Sequence, residues 1–284
     1  MSYSQAAYPL IDLALARRLE RVEASANAAF VAARARLQPE SGAAWIEVAG
    51  AYAMFDGVGS PLTQTFGLGL FAKAGEAEFQ ALEAFFQQRG AGVDHEISPL
   101  AAPALLPHLN GRGYQPIEFS SVMFRPVTGA LSTVPVSGGL RVRRIEADEA
   151  DLWARVAAEG WSTESPELMD FMLEMGKISA RAEGASAFLV ELDGHPVGAG
   201  GLNVRDGVAL LAGASTIAAA RRRGAQRALL QARLRFAAER GCDLMMIVAQ
   251  PGSASQRNAE RQGFRVAYTR TKWQLRPADA RREH

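Results

Sequence analysis

The chain has 284 residues, enough for two ordinary domains, and 48% of them are hydrophobic, enough for a sizeable core. Its 31 Lys and Arg against 30 Asp and Glu leave a formal charge of +1, which argues against a dedicated nucleic-acid binder with a strongly basic face. The single cysteine, Cys242, rules out an intrachain disulfide and suits a reducing, cytoplasmic setting, while no stretch approaches the roughly 18 apolar residues of a membrane span and no secretory signal opens the chain.

In chain order, Ile11 to Leu37 reads as one long amphipathic helix, with room for a break, ended by Pro39. "AAWIEVAGAYAMF" and "LTQTFGLGLF" read as strands, and "EAEFQALEAFFQQRG" as a helix stopped by Gly90. A strand near Val93 to Ile97, a short helix around Leu105 and the strand "GYQPIEFSSVMFRP" complete this half. "RPVTGALSTVPVSGG", Arg125 to Gly139, is rich in Pro, Gly, Ser and Thr and reads as a linker.

After it come the strand "LRVRRI" and the helix "ADEADLWARVAAEG", which has an acidic first turn. A second helix, "SPELMDFMLEMGKISARA", has Ser165 as cap and Pro166 at its first position. "SAFLVELDGHPVGAGGLNVRDGVALLAGASTI" holds three strands joined by hairpin turns at Asp193-Gly194 and Asp206-Gly207. A long helix, the strand "DLMMIVAQ", the short helix "SASQRNAERQG" and the strand "RVAYTRTKWQL" follow, and the polar tail "RPADARREH" reads as frayed. "FFQQRG" parallels "RFAAERG", and "HLNGRGYQPIEFSSVMFRP" parallels "NAERQGFRVAYTRTKWQLRP". The element order agrees as well, so the reading is an internal duplication. The expected domains are 1–126 and 140–284, joined by a linker at 127–139.

The sharpest feature is "ARRRGAQRALL", where a strand ends near Ile217 and a helix starts near Gly224. A helix N-terminus presents unpaired N–H groups and the positive end of the dipole, so it binds phosphate directly. Arg221, Arg222, Arg223 and Arg227 oppose that dipole, and an anionic ligand removes the conflict. Alone, the cluster reads as a solvated turn. The apolar stripe Ala225, Ala228, Leu229, Ala232 and Phe236 instead packs this helix on a core and aims its N-terminus across a strand end, where ligands of α/β folds sit.

"RRRGAQRALL" resembles the acyl-CoA pyrophosphate loop of the GNAT superfamily of N-acyltransferases: Arg or Gln, two variable residues, Gly, one variable residue, then Gly or Ala. Arg221 and Gly224 fit, and Ala225 lies between them and Gln226, which stands in place of the final small residue. The surrounding order is also similar from about Leu140 to Leu275: an "ASTI" strand before the loop, the strand "DLMMIVA" after the helix, then a short helix ending in Gly-Phe. The resemblance implies an α/β fold of two tandem GNAT-like domains, each a mixed central sheet flanked by helices. It implies an N-acetyltransferase that uses acetyl-CoA as co-substrate and an amine as acceptor, with no metal. Acetyl-CoA would lie between splayed strands at Leu210–Ile217 and Leu244–Ala249, its arm along Gly213, Ala214, Ser215 and Thr216, with Asn258 as a further contact.

Direct acyl transfer needs a neutral amine, an oxyanion stabiliser and a proton for the leaving thiolate. Many relatives use a tyrosine in the short helix as acid, and Ala259 stands at that place here. Ser253, Ser255, Tyr268 and solvent remain as sources of the proton. Glu159, Glu164, Glu174 or a water chain remain as the base, the glutamates lying in the two helices that shape the family's acceptor pocket, beside Trp161. The histidines, His95, His108, His195 and His284, are too scattered for a metal site, and no G-x-S-x-G elbow is present. "GLGLFA" at Gly67 to Ala72 fits G-x-G-x-x-A but reads as a decayed counterpart of the arginine-glycine loop, so the first half is expected not to hold CoA. The rival readings are a non-catalytic acyl-CoA sensor or scaffold, and nucleic-acid binding through Arg221 to Arg240. Near-neutral charge and the lack of interleaved aromatics weigh against the latter.

Overall fold

The computed structural model describes residues 8–127, 139–162 and 169–275. Helix α1 (Leu13–Leu37) leads to strands β1 (Ala44–Val48), β2 (Ala51–Phe55) and β3 (Gln64–Phe66). Helix α2 (Glu76–Gln87), strand β4 (Asp94–Ile97), helix α3 (Leu105–Arg112) and strand β5 (Tyr114–Pro126) follow. The second run opens with β6 (Leu140–Arg144), α4 (Ala150–Ser162), α5 (Met169–Ser179), β7 (Ala185–Leu192), β8 (His195–Arg205) and β9 (Val208–Thr216). It closes with α6 (Ala225–Glu239), β10 (Leu244–Ala249), α7 (Ala254–Arg261) and β11 (Arg265–Leu275). Most of the expected linker, the Ser165-Pro166 cap and the polar tail lie outside the described residues.

Local chemistry sets the boundaries. The Asp12 carboxylate caps α1 by accepting from the Leu15 amide at 2.8 Å, and α1 runs unbroken. Asp193, Gly194, Asp206 and Gly207 all have positive φ (52°, 83°, 49° and 74°), as the two hairpin turns require. The stretch "LTQTFGLGLF" is extended only at Gln64–Phe66, because the chain turns at Gly67 and buries Leu68 and Leu70 as loop residues.

The chain folds as two compact units, one built from Arg125–Met246 and one from Pro9–Phe124 with 247–275. These units do not follow the expected domain boundaries, because α7 and β11, last in sequence, belong to the unit of the first half. There β11 lies between β4 and β5, antiparallel to both: Thr271 faces Ile97 on one side and Phe119 on the other. The rest of that sheet runs β1, β2, β3 antiparallel, then β4 parallel to β3. The other unit repeats the pattern. Strands β6, β7, β8 and β9 are antiparallel in turn, and β10 runs parallel to β9. In each unit a helix (α2 or α6) makes the crossover between the parallel pair, as parallel strands require.

In the Arg125–Met246 unit, helices cover both faces of the sheet. Ala199 packs with Trp153, Ala154 and Ala157 of α4, while the next residue, Gly200, faces Leu229 of α6. This arrangement packs α6 on the sheet with its N-terminus beyond the end of β9.

Candidate functional site

The chain leaves β9 at Thr216, makes a short turn at Ala218–Ala220 and enters α6 through Arg221–Gly224. Gly224 is the helix N-cap with φ +90°; a Cβ there would meet only Leu140, at 3.7 Å. The left-handed backbone, rather than crowding, therefore demands glycine. Arg222 is left-handed too, at φ +64°. Backbone of this kind curls successive N–H groups toward one point and forms an anion-binding concavity. The Ala228 amide makes the bond to the Gly224 carbonyl at 3.0 Å, and no side chain caps the amides ahead of it.

Arg222, Arg223 and Arg227 are exposed around this terminus. Among the described residues none of the three is paired with a carboxylate, so their charge adds to that of the dipole. Arg221 behaves differently from the expected rim charge. Its Nε donates to the Thr216 carbonyl at 3.2 Å and its Nη2 to the Gly160 carbonyl at 3.0 Å, tying the turn to β9 and α4. Gln226, which departs from the small residue of the loop pattern, donates from Nε2 to Thr216 Oγ1 at 2.8 Å. Ser215 Oγ donates to the Ala157 carbonyl at 3.0 Å. These side chains hold the loop in shape, leaving backbone amides and three arginines to face a ligand.

Next to the loop, β10 pairs with β9 only from Leu244↔Val208 to Met246↔Leu210, although β9 runs on to Thr216. On its other edge β9 is paired with β8, but Gly200 alone faces both Gly213 and Ala214, a β-bulge with Gly213 at φ +58°. Ala212 and Gly213 are exposed and Ala214 half-buried. The far stretch of β9 is thus a short exposed strand beside an anion site, bent at the point where a bulge re-aims its amides.

Helix α4 presses on that stretch. A Cβ on Gly160 would lie 2.6 Å from Ser215 Cβ and 2.9 Å from the Thr216 amide. Gly160→Ala is therefore expected to destabilise the protein by about 1–3 kcal/mol, as overpacking does. It should also weaken ligand binding at the loop, because the Gly160 carbonyl anchors Arg221. Urea unfolding and calorimetry check both; an unchanged midpoint would contradict the contact.

The other candidate residues fall in different places. Glu159 is exposed on α4, and Trp161 is half-buried with its indole N–H enclosed and, among the described residues, without an acceptor. Glu164 lies outside the described residues. Glu174 sits on α5 with Lys177 Nζ at 4.0 Å. Ser253, Ser255, Asn258 and Tyr268 belong to the unit with Pro9–Phe124. There Ser253 caps α7 by accepting from the Gln256 amide at 3.1 Å, and Ser255 is exposed. Asn258 is exposed and accepts from Arg261 Nη1 at 3.0 Å. Ala259 is buried. Tyr268 is buried too, and its hydroxyl donates to Glu20 Oε1 at 2.9 Å. Cys242 is buried after the helix stop. Among the described residues no cluster of three or more His, Cys, Asp or Glu is placed to hold a metal, and no helix is long and apolar enough to cross a membrane.

Two further regions bear on the sequence readings. Helix α2, the counterpart of α6, has acidic residues Glu76 and Glu78 in its first turn, and Glu78 Oε2 accepts from the Gly75 amide at 2.8 Å. That bond holds the Glu78 carboxyl below its ordinary range. The glycine turn before α2 is packed shut, with Phe71 against Gly67 and Leu105 against Gly69. The arginines of α6 do not share one face either. Arg233 is buried with Nη1 on the Gly201 carbonyl at 3.1 Å, and Arg240 lies over the Phe236 ring.

Residues 145–264 match the family model described as Acetyltransferase (GNAT) family. No curated protein matches the chain. Among solved structures, a GCN5-related N-acetyltransferase from Kribbella flavida is similar at 19% identity and TM-score 0.60, over 88% of this chain and 96% of that one. A tandem GNAT protein from the clavulanic acid biosynthesis pathway is similar at 13% identity and TM-score 0.58, over 94% and 96% of the two chains. A GCN5-related N-acetyltransferase from Sphaerobacter thermophilus is similar at 21% identity and TM-score 0.54, over 80% and 77%. The fold is the tandem GNAT fold, and the family matched over 145–264 transfers acyl groups from acyl-CoA to an acceptor.

Proposed function

We propose, with residues 145–264 forming a GNAT acetyltransferase domain as the premise, that this protein moves an acetyl group from acetyl-CoA to an amine by direct transfer. One carrier site serves the reaction, in the repeat 140–284, and the repeat 1–126 holds none. The observation that carries the reading is the N-terminus of α6: uncapped amides, a left-handed Gly224 and three exposed arginines, none paired with a carboxylate among the described residues, beside the exposed end of β9. Helix α2, at the corresponding position, fills its own N-terminus with a glutamate instead.

Acetyl-CoA, when bound, supplies an acyl group activated as a thioester. The amides of 225–227 with Arg222, Arg223 and Arg227 would hold its pyrophosphate, and the exposed edge of β9 its extended arm. An N–H at the Gly213–Ala214 bulge is the natural donor to an oxygen that gains negative charge during acyl transfer. The thiolate needs little help to leave, because a free thiol has a pKa of only about 8.5. Water serves as its proton source, since Ala259 holds the sequence place of the family's tyrosine acid and the Tyr268 hydroxyl is spent on Glu20. Glu159 and Glu174 on α4 and α5, with Glu164 between those helices, remain the choices for the base beside a water chain. The lone buried cysteine fits a cytoplasmic setting.

Calorimetry with acetyl-CoA is expected to give one site per chain, and thiol release is expected with at least one class in a panel of small amines, polyamines and lysine peptides. Two equivalent sites would refute the single-site reading. The buried Ala259 favours a second reading, a non-catalytic acyl-CoA sensor, which tight binding without turnover for every amine class would establish.

A further inference from the structure

On the α4 face of the Arg125–Met246 unit a cavity of about 40 Å³ is lined by Ala187, Gly201, Ala212, Gly213, Ser179 and Asn203. It has room for about three water-sized groups. Its position follows from the strand. The anion-seeking turn lies past the C-terminal end of β9, so an arm anchored there and running back along the exposed edge reaches the bulge at Gly213–Ala214. Gly213, at that bulge, and Ala212 before it are also cavity wall.

The lining is chemically specific. Among the described residues no carboxylate, lysine or arginine contributes to it. Ser179 and Asn203 are half-buried, and neither side chain makes a hydrogen bond among the described residues. An acetyl methyl group asks for no hydrogen bond, so these two polar groups are not explained by the donor. Two polar groups on a small, mostly apolar wall can orient a compact group of a ligand. An apolar wall also disfavours an ammonium ion and thereby favours the neutral amine that attack requires.

We infer that this cavity selects the acceptor, and that the part it recognises is compact and uncharged, an amide or hydroxyl held by Asn203 and Ser179, rather than a polyamine or a lysine-rich chain. The inference rests on the carrier-site reading above. The test is amide NMR on the full ¹⁵N-labelled chain with three separate probes: coenzyme A, glycinamide and putrescine. Glycinamide is expected to shift the amides of Ala187, Gly201 and Ala212. The double variant Ser179→Ala with Asn203→Ala should weaken that binding at least 10-fold, while coenzyme A still shifts Gly224–Arg227 in the variant and so reports an intact fold. Putrescine binding at those amides as tightly as glycinamide, or glycinamide binding unaffected by the double variant or absent, overturns the inference. Loss of the coenzyme A shifts at Gly224–Arg227 in the unaltered protein would instead overturn the carrier-site reading.

Discussion

Gly224→Glu is expected to weaken acetyl-CoA binding by roughly 100-fold, equivalent to about 2.7 kcal/mol. Two effects combine. Gly224 sits at φ +90°, where a residue with a Cβ is strained by about 1–2 kcal/mol. The new carboxylate also takes the place of the ligand: it lies at the positive end of α6 and accepts from the amides a pyrophosphate would use. That same contact stabilises the free helix by about 0.3–1 kcal/mol, so the variant should stay folded. Gly224→Ala separates the effects, since it keeps the strain and adds no charge, and should weaken binding less than 10-fold. Calorimetry on the three proteins decides. Equal losses in both variants would assign the effect to backbone strain, and unchanged affinity in Gly224→Glu would remove the site.

Much of this was legible in the sequence because it is local. The Asp-Gly turns, the Arg221 to Arg227 loop and the helix stop at Gly90 depend on neighbours a few residues apart. What escaped is either long-range or contrary to periodicity. The placement of β11 between β4 and β5 is a pairing choice, and the strand "RVAYTRTKWQL" reads the same whichever sheet receives it. Arg233 lies on the buried face of α6, yet its type assigns it to water; burial lowers its pKa to about 10, and its Nη1 donates to the Gly201 carbonyl. His95 looked like an isolated histidine and is a core residue. Its Nε2 lies 3.0 Å from the Tyr114 hydroxyl, and burial lowers its pKa to about 3, leaving the ring neutral. In the loop, Arg221 read as mobile charge because nothing local shows that the Thr216 and Gly160 carbonyls converge on it. Nothing local in α1 shows that Glu20 and Glu23 both face Arg270, some 250 residues away along the chain.

That arginine carries the largest expected effect on stability. Arg270 is 1% exposed, and its Nη1 lies 2.7 Å from Glu23 Oε2 and 3.2 Å from Glu20 Oε2, with Glu96 Oε2 at 3.5 Å from Nε. Arg270→Met would leave three carboxylates buried or half-buried around an apolar side chain. Removing one partner of a buried pair costs about 3–5 kcal/mol, and that loss is expected at pH 7.5. Its pH dependence follows from Glu20. Burial, opposed by Arg270, raises the Glu20 carboxyl from 4.5 to about 7. The folded state therefore binds a proton that the unfolded state has released across that window, so the stability Glu20 contributes is fully present below about 4.5 and is lost as pH rises toward 7. Without Arg270 the carboxyl rises further, and protonation at pH 5 relieves the repulsion that the variant suffers at pH 7.5. Urea unfolding should thus show a clearly smaller destabilisation by Arg270→Met at pH 5 than at pH 7.5. Glu20→Gln, which keeps a hydrogen-bonding partner for Tyr268 and cannot ionise, should flatten the decline of stability between those two pH values in an otherwise unaltered chain. A destabilisation by Arg270→Met that is the same at both pH values would mean that the glutamates around it are not the groups whose charge Arg270 offsets.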